Sequence, residues 1–359
     1  MSTTFPSETD RAWVDVDLRA LVANAKTIAS ISGGRLLPMV KANGYGLGAV
    51  AVARALESIE PWGYGVATVG EGAELRQAGI TRPILLCTPL LPEWIDRCLE
   101  YDLRPSIGDA TALDAWTALG QRPFHLEIDT GMSRSGFRFD DPALREPIAE
   151  RLRRADGWEG VFTHFHSPES DSVATQLQWA RFQEVLGVLP RRPQLVHAAN
   201  SAAALTGNRY TADLVRPGIF LYGGSVGTPL PAPVASLRAR VVGVREIREG
   251  DTVSYGATWR ADAPTRVATI AVGYADGFPR ATGRSRAIEL GGRVVPVVGR
   301  VAMDMTMVAV DDDHRVKLGE VATAWGGAVS LDQQADWVGT NPYELLTALS
   351  PRLPRCYRA

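Results

Sequence analysis

The sequence predicts an α/β protein in which an N-terminal (β/α)8 barrel of the TIM type precedes a C-terminal, mostly antiparallel β domain. Three observations lead to this fold class. Strand-like and helix-like segments alternate over about 200 residues, and eight strand-like runs occur among them. After a proline-rich segment at 229–233 the runs become short and β-rich. Eight strand–helix units favour a closed barrel, although the pattern alone also allows an open doubly wound sheet.

The first half opens with an alternating strand at 13–17 and a helix at 18–31. The predicted barrel strands are then 36–40, 64–69, 84–88, 103–107, 124–129, 160–165, 194–198 and 213–216. Helical segments lie between them at 49–59, 71–78, 92–100, 110–119, 141–154, 174–186 and 201–207. Strands that alternate with helices indicate a parallel sheet built from βαβ units.

The second half is predicted to form strands at 236–244, 266–272, 286–290, 293–298, 305–310 and 320–325, and a last helix at 342–349. Glycine-rich and acidic turns separate these runs, which is typical of an antiparallel domain. We therefore expect residues 1–230 to form the barrel and residues 231–359 the β domain. Residues 1–17 are the part of the first domain that could pack against the second.

The composition is that of an ordinary globular protein, with 359 residues, 45% hydrophobic and 22% charged. A formal net charge of -2 gives no reason to expect nucleic acid or an anionic membrane as a partner. Residues 1–10 are polar without a signal-peptide pattern, so we expect a cytoplasmic protein. Three cysteines and five histidines without ligand-like spacing argue against a disulfide framework or a metal site.

The first predicted barrel strand ends in a lysine followed by a glycine-rich turn. Lys41 follows the apolar run at 35–40, and Gly44, Gly46 and Gly48 come directly after it. The glycines let the backbone turn tightly and approach a ligand. A lysine amine at a strand end of an α/β fold is suited to Schiff-base chemistry. A lone lysine in such a place is more often a surface residue. Whether Lys41 is functional therefore depends on which residues lie at the other strand ends.

Polar groups follow the ends of other predicted strands, and the carboxyl ends of barrel strands meet at one rim. Any one of these side chains, such as His164 or Arg134, has an ordinary structural explanation by itself. Together they indicate a functional rim: Lys41 and Tyr45 after the first strand, Arg134 after the fifth, His164 at the sixth, His197, Asn200 and Ser201 at the seventh, and Arg216, Gly218 and Ile219 at the eighth.

The loops after strands seven and eight of such barrels usually hold a phosphate. Asn200 and Ser201 can open a helix whose N–H groups favour an anion, and Gly218 allows close backbone approach. A lysine opposite a phosphate site is what pyridoxal 5'-phosphate (PLP) requires. Arg216 is placed to meet the pyridine nitrogen, and its permanent charge would keep that nitrogen unprotonated.

The motifs as a set resemble those of alanine racemases. The resemblance rests on Val-Lys-Ala-Asn-x-Tyr-Gly-x-Gly at 40–48, Asp-Thr-Gly-Met-Ser-Arg-Ser-Gly at 129–136, Thr-His-Phe at 163–165, Asn-Ser-Ala-Ala at 200–203 and Arg-Pro-Gly-Ile at 216–219. In the second domain it rests on Ser-Tyr-Gly-Ala-Thr-Trp at 254–259 and on the stretches 272–280 and 299–305. It covers nearly the whole chain, from residue 13 to residue 355.

The resemblance implies a PLP-dependent racemase that interconverts L- and D-alanine and supplies D-alanine for cell-wall peptidoglycan. It implies a head-to-tail homodimer whose active sites are shared between subunits. Lys41 would hold PLP and act as one acid/base, and Tyr255 from the partner subunit would be the other. Two bases on opposite faces of the substrate Cα suit racemisation better than one.

The same resemblance implies roles for further residues. His164, beside Arg216, would adjust the basicity of Tyr255, and Arg134 with the partner's Met303 would bind the substrate carboxylate. The phosphate would be held by Tyr45, Ser201, Gly218 and Ile219. His164 and Asn200 would also contact the cofactor, and His197 would support the site. The partner's Tyr274 and the partner's Asp304 would line the entrance.

Glu127 is a further candidate, because alternation places it on the same strand face as Asp129, which we expect to be the barrel interior. A carboxylate there requires a partner, and Arg134 in the following loop is the natural one. Some alanine racemases are similar in having an acidic group here, a carbamate on a lysine. The alternative is that Glu127 faces a helix and has a structural role.

The sequence departs from the family pattern at three positions, Leu47, His166 and Pro351, and these leave the substrate preference open. A racemase acting on serine or other side chains is one alternative. A PLP-barrel decarboxylase is another, but its late catalytic cysteine has only Cys356 as a candidate. A non-catalytic PLP-binding protein of the single-barrel type is the third, and such proteins lack the second domain.

Overall fold

The structure, a computed structural model, describes residues 4–280, 286–311 and 313–359, so the first three residues of the polar N-terminal stretch lie outside it. Two large sheets organise these residues. No helix in the described ranges combines the length and the apolar composition needed to cross a membrane. The fold class predicted from the sequence is confirmed.

Eight parallel strands form the barrel, in the order β2-β10-β9-β8-β6-β5-β4-β3. A parallel bridge between Met39 and Gly65 joins the segment after β2 to β3 and closes the ring. The strands are β2 (Arg35–Leu36), β3 (Tyr64–Val66), β4 (Ile84–Pro89), β5 (Arg104–Ile107), β6 (Phe124–Asp129), β8 (Trp158–Phe162), β9 (Leu195–His197) and β10 (Leu214–Val215), and a short β7 (Phe137–Arg138) pairs with β6.

Helices connect the barrel strands, and several begin at a side chain that accepts a backbone N–H. Asp17, Thr68, Asp109, Asp171 and Asn200 cap their helices in this way, which explains where those helices start. The helices are α1 (Leu18–Ser32), α3 (Ala49–Leu56), α4 (Val69–Gln77), α5 (Ile95–Glu100), α6 (Ala110–Thr117), α7 (Ile148–Arg153), α8 (Ser172–Val188) and α9 (Ser201–Leu205). The segment α2 (Lys41–Tyr45), which we call the lysine loop, is a turn of left-handed backbone rather than a right-handed helix.

The second sheet has the order β16-β15-β18-β11-β1-β19, and β14 and β17 extend it beyond β11. All its pairings are antiparallel except that of β1 with β19. Its elements are β1 (Ala12–Asp17), β11 (Ala235–Ile247), β14 (Thr265–Ile270), β15 (Ala287–Leu290), β16 (Arg293–Pro296), β17 (Thr306–Val310), β18 (Val321–Trp325) and β19 (Arg355–Arg358), with a separate hairpin of β12 (Thr252–Val253) and β13 (Trp259–Arg260) and the helices α10 (Leu331–Val338) and α11 (Pro342–Thr347).

The structure differs from the predicted elements in identifiable ways. The first barrel strand is regular only at Arg35–Leu36, and Pro38 beyond it has no N–H to donate. Single hydrogen bonds continue the pairing, from Leu37 and Met39 to the Val215 and Pro217 carbonyls on one side, and at the Met39–Gly65 bridge on the other. The helix predicted at 141–154 is a 3-10 turn at Pro142–Leu144 followed by α7. The strand β19 has a polar, four-residue sequence without alternation strong enough to identify it.

Helix α11 brings the second half of the chain onto the barrel rim. Its buried residues Leu345 and Leu346 belong to the same hydrophobic core as Tyr45 of the lysine loop. This contact fixes where the C-terminal segment lies relative to the ends of the barrel strands.

Candidate active site

A cavity of about 140 Å³ lies at the carboxyl ends of the barrel strands. Most of the residues predicted for the rim line it, which places them within one space. They are Lys41, Tyr45, Glu127, Arg134, His164, Asn200, Ser201, Arg216, Gly218 and Ile219.

Lys41 is held by an unusual loop. The residues 42–45 all have positive φ, with 53° at Ala42 and 53° at Tyr45, so this segment stores backbone strain. Side chains support it: Glu71 accepts from the Ala42 N–H at 2.7 Å and Asn43 accepts from the Ala49 N–H at 3.0 Å. Such strain persists only where the surroundings fix the backbone, which is consistent with a lysine that must be held in place.

The far side of the cavity is rich in hydrogen-bonding groups around Gly218. Its N–H donates to the Ser201 hydroxyl at 2.9 Å, and a Cβ at this position would lie 2.3 Å from the Tyr45 hydroxyl oxygen. Tyr45 stacks on Tyr222 with ring centroids 4.4 Å apart, which fixes its ring. Asn200 caps α9 by accepting from the Ala203 N–H at 3.1 Å. This set of hydroxyls and N–H groups is suited to an anion.

Arg216 is a buried cation whose two terminal nitrogens donate to four acceptors. Its Nη2 donates to the carbonyls of Thr163 at 2.7 Å and Ala198 at 3.1 Å, and to His164 Nδ1 at 3.2 Å. Its Nη1 donates to His197 Nδ1 at 2.8 Å. Burial lowers the pKa of Arg216 to about 10, so the guanidinium stays charged at neutral pH.

His164 is neutral at pH 7. Burial, followed by the positive charges of Arg216, Arg134 and Lys41, lowers its pKa to about 3. Because Arg216 can only donate, Nδ1 of His164 must accept, and the ring proton therefore lies on Nε2.

Glu127 faces the cavity and is 4% exposed. Its partner differs from the expected one: Ser135 donates to Oε1 at 2.8 Å, and Oε2 has no hydrogen-bond partner among the described residues. Arg134 lines the same cavity, but among the described residues it makes neither a hydrogen bond nor an ion pair with Glu127. The hydroxyl of Ser135, one residue beyond Arg134, takes the position that we expected for the guanidinium. Burial raises the pKa of Glu127.

Four predicted residues of the second domain do not line the cavity of their own chain. Tyr255 is 70% exposed in the turn Tyr255–Ala257, and Met303 and Tyr274 are also exposed. Asp304 accepts from Arg352 at 2.7 Å instead. Within one chain, therefore, the cavity holds a lysine without the predicted tyrosine.

Sequence reasoning missed four residues that line the cavity: Met39, Cys87, Phe162 and Tyr343. The first three lie at or near strand ends, so the rule that found Lys41 could have found them. Tyr343 has no such signal, because it comes from α11, and its ring lies 6.1 Å from that of Tyr45. Burial raises the pKa of its hydroxyl to about 12.

The positions that depart from the family pattern lie outside the cavity lining. Leu47 is fully buried, and its carbonyl accepts from the Tyr357 hydroxyl at 3.0 Å. His166 is exposed and bonds to Ser167, and Pro351 lies in an exposed turn. Tyr357 therefore supports the backbone of the lysine loop.

Buried histidines predict a loss of stability in acid. Burial lowers the pKa values of His125, His164 and His197, so between about pH 6.5 and 3 the unfolded chain binds protons that the folded chain does not. The free energy of unfolding should therefore fall as the pH falls below about 6.5, by up to about 1.4 kcal/mol per pH unit for each histidine.

Urea unfolding at fixed protein concentration between pH 7.5 and 5 measures this dependence. His164→Gln should make the slope shallower, because one group that takes up a proton on unfolding is lost. A free energy of unfolding that stays constant between pH 7 and 5 would contradict the assignment of neutral buried histidines.

Comparison with known proteins agrees with the motifs. The family model "Alanine racemase, N-terminal domain" matches residues 16–226, and "Alanine racemase, C-terminal domain" matches residues 234–357. The chain is 36% identical to the alanine racemase of Desulforamulus reducens, covering 96% of this chain and 98% of that protein. It is 39% identical to that of Deinococcus radiodurans, with 96% and 98% covered.

Solved structures are similar over the full length. The biosynthetic alanine racemase of Pseudomonas aeruginosa superimposes with a TM-score of 0.89 at 33% identity, covering 98% of this chain and 100% of that one. The alanine racemase of Bartonella henselae with covalently bound pyridoxal phosphate gives a TM-score of 0.91 at 29% identity, again covering 98% and 100%. Family models match both domains and full-length relatives match in sequence and structure, so the chain belongs to the alanine racemase family.

Proposed function

We propose that this protein is a PLP-dependent alanine racemase that interconverts L- and D-alanine. The observation that carries the proposal is the cavity that brings the Lys41 amine together with the buried Arg216 cation and the donors around Gly218. The family assignment and the covalently bound cofactor of the Bartonella henselae relative support it.

The residues present fit PLP by the chemistry of their donors. Lys41 supplies an amine for the aldehyde, Tyr45 and Ser201 supply hydroxyls for the phosphate, and Arg216 supplies a donor for the ring nitrogen. The space around Gly218 supports the fit, since a side chain there would collide with the Tyr45 hydroxyl. When bound, PLP withdraws electrons from the Cα of the amino acid and so makes its hydrogen acidic.

The acid/base groups belong to two chains in this proposal. Lys41 moves a proton on one face of Cα, and Tyr255 of the partner subunit does so on the other. The high exposure of Tyr255 and its absence from the cavity of its own chain support a shared site in a head-to-tail homodimer. Arg134 and the partner's Met303 then bind the substrate carboxylate, and the partner's Tyr274 and the partner's Asp304 line the entrance.

His164 links the two halves of this site. Its neutral ring accepts from Arg216 through Nδ1, which leaves an Nε2–H to donate to the tyrosine that enters from the partner. The physiological role that we propose is the supply of D-alanine for cell-wall peptidoglycan by an enzyme in the cytoplasm.

We also propose that residues 1–230 and residues 231–359 form the two domains of the chain.

A PLP-barrel decarboxylase is the competing enzyme class, and the position of Cys356 disfavours it. Cys356 is buried in β19 beside β1, and its pKa is raised to about 11 by burial, which keeps the thiol protonated. Unlike the exposed Tyr255, it is buried within its own chain and so is not available to a partner's site. Cys87 lines the cavity but belongs to the barrel strand β4, not to the second domain from which this alternative takes its cysteine.

The experiment that tests the proposal incubates the PLP-loaded protein with L-alanine and measures D-alanine by chiral chromatography. L-serine and L-lysine are tested in parallel, and released CO2 is measured. We expect D-alanine to form faster than D-serine, without CO2. Release of CO2 from L-lysine without inversion of alanine would favour the decarboxylase.

Glu127 provides a prediction about substrate binding. Glu127→Gln replaces a carboxyl group that shares the cavity with Arg134, so Arg134 should be less well placed for the substrate carboxylate. KM for alanine should then rise by roughly 2- to 10-fold, corresponding to about 0.5–1.5 kcal/mol, with a smaller change in kcat. Glu127→Lys should be partly rescued by bicarbonate, which can convert a lysine into an acidic carbamate. Steady-state kinetics in both directions measure the effect, with the exposed Glu93→Gln as the control. Unchanged KM in Glu127→Gln would remove Glu127 from the site.

A further inference from the structure

Three side chains behind Arg216 continue from it in an unbroken line of hydrogen bonds through the barrel, and we call these four residues the polar relay. Glu159 Oε2 lies 3.2 Å from His125 Nε2, and His125 Nδ1 lies 2.7 Å from His197 Nε2. His197 Nδ1 then accepts from Arg216 Nη1 at 2.8 Å. The relay thus connects the start of β8 to the rim where the cavity lies.

Donor and acceptor chemistry gives the relay a single direction. Arg216 only donates, so His197 Nδ1 must accept and the proton of His197 lies on Nε2. That proton is donated to His125 Nδ1, so the proton of His125 lies on its own Nε2 and is donated to Glu159. Each histidine has one tautomer that satisfies all its contacts, and the negative end of the relay is a carboxylate.

The relay is largely buried, so the loss of any one of its hydrogen bonds would be costly. His125 and His197 are fully buried, and Arg216 is 4% exposed. Burial lowers the pKa of both histidines, so they remain neutral at physiological pH. In such surroundings hydrogen-bonded groups polarise one another, and an unpaired group is costly.

The packing of the barrel makes room for the relay. Gly160 lies between β6 and β9 and is the register partner of His125, and a Cβ on it would lie 2.5 Å from His125 Nδ1. Phe162 stacks on the His197 ring with centroids 5.0 Å apart, and the Arg216 guanidinium lies 5.2 Å from the same phenyl ring. These contacts fix both the imidazole rings and the cation.

We propose that Glu159 and His125 are positioning residues for the reaction, because through His197 they hold the Arg216 guanidinium in the orientation that it presents to the cavity. The carboxylate orients His125, His125 orients His197, and His197 offers its Nδ1 to Arg216. The same arrangement, in which a carboxylate orients a histidine that in turn holds a charged centre, is general at metal sites. The expected effect on catalysis rests on the proposed function, whereas the assignment of the two histidine tautomers rests only on the hydrogen bonds.

Two substitutions at His125 separate positioning from packing. His125→Leu leaves the Nε2–H of His197 without an acceptor, which is costly in a buried site. The His197 ring can then tilt to seek another acceptor, and its Nδ1 is no longer held towards Arg216. His125→Asn places an amide oxygen at about the position of Nδ1 and restores the acceptor. Ser106→Ala is the matched control, because Ser106 is the register partner of His125 on β5 and its buried bond to the Leu86 carbonyl is outside the relay.

The first measurement is NMR of the ring nitrogens of 15N-labelled histidines, in the cofactor-free and the PLP-loaded protein, with peaks assigned by single substitutions. We expect neutral His125 and His197, each with its proton on Nε2, in the wild type and in Ser106→Ala. Because Arg216 can only donate, His197 should keep this tautomer in both His125 variants. Its Nε2 resonance should shift in His125→Leu, where the acceptor is lost, and stay near the wild-type position in His125→Asn. A proton on His197 Nδ1 in the wild type would overturn the proposal.

The second measurement is the kinetics of the PLP-loaded variants. We expect kcat of His125→Leu to fall by about 10-fold or more, with KM little changed, and most of kcat to return in His125→Asn. Wild-type kcat in His125→Leu, or no recovery in a folded His125→Asn, would overturn the proposal. If His125→Leu does not fold, Glu159→Leu removes the carboxylate end and is judged by the same fall in kcat. A wild-type protein without racemase activity would instead refute the proposed function, while the NMR still decides the tautomers.

Discussion

Lys41→Ala is expected to abolish both the covalent attachment of PLP and the interconversion of L- and D-alanine. Lys41 is the one lysine that lines the cavity in the described residues, and its strained loop and supporting bonds hold it there. The covalent link to PLP should make the wild type yellow, and borohydride reduction should remove that absorbance and fix the cofactor to the protein.

The small number of lysines in the chain lets this experiment identify the attachment site. It contains only three lysines, Lys26, Lys41 and Lys317, and the other two are exposed. Peptide mass mapping after borohydride reduction should therefore find the cofactor on Lys41, and Lys26→Ala and Lys317→Ala should retain both colour and activity. A reduced adduct on either of the other lysines would overturn the assignment of Lys41.

Tyr255→Phe is expected to lower the rate of racemisation by about 10² or more while PLP stays bound. Phenylalanine keeps the ring and removes the hydroxyl that would take or deliver the proton on the face opposite Lys41. Because the residues proposed to hold PLP all belong to the barrel, cofactor binding should be nearly unaffected. Tyr101→Phe, distant from the cavity lining, is the matched control. A Tyr255→Phe enzyme with wild-type kcat would show that another group serves this face.

Subunit exchange tests whether the tyrosine comes from the partner. In a heterodimer of Lys41→Ala and Tyr255→Phe chains, one of the two shared sites is intact and the other lacks both groups. Random exchange makes half of the dimers heterodimers, so activity should recover to about a quarter of the wild-type value. If mass spectrometry verifies the exchange and activity stays at that of the parent variants, the site is not shared.

Most of the rim could be predicted from the sequence, because its residues all follow from the positions of the strand ends. The carboxyl ends of parallel barrel strands meet at one edge, so Lys41, His164 and Arg216 had to lie near one another once the strands were identified. Glu127 was placed on the interior face by alternation alone. Its bond to Ser135 could not be predicted in the same way, because the path of a glycine-containing loop decides which side chain reaches the carboxylate.

Other features depend on tertiary packing that no local pattern contains. Tyr343 reaches the cavity because α11 docks beside Tyr45, an arrangement set by contacts between distant parts of the chain. His125 and His197 lie on strands that are not neighbours, since β8 runs between them. They meet because Gly160 of that middle strand has no side chain. The sequence contains both histidines and the glycine, but only the sheet order shows that they are adjacent.

The proposed racemisation requires two acid/base groups on opposite faces of the substrate Cα. To measure this, the PLP-loaded protein is incubated with L-alanine in heavy water, and the earliest product is analysed by chiral separation and mass spectrometry. One group removes the original hydrogen and a different, solvent-exchanged group delivers the new one, so D-alanine should carry deuterium at Cα from the first turnover. D-alanine that retains the original hydrogen, or deuterium exchange without inversion, would contradict it.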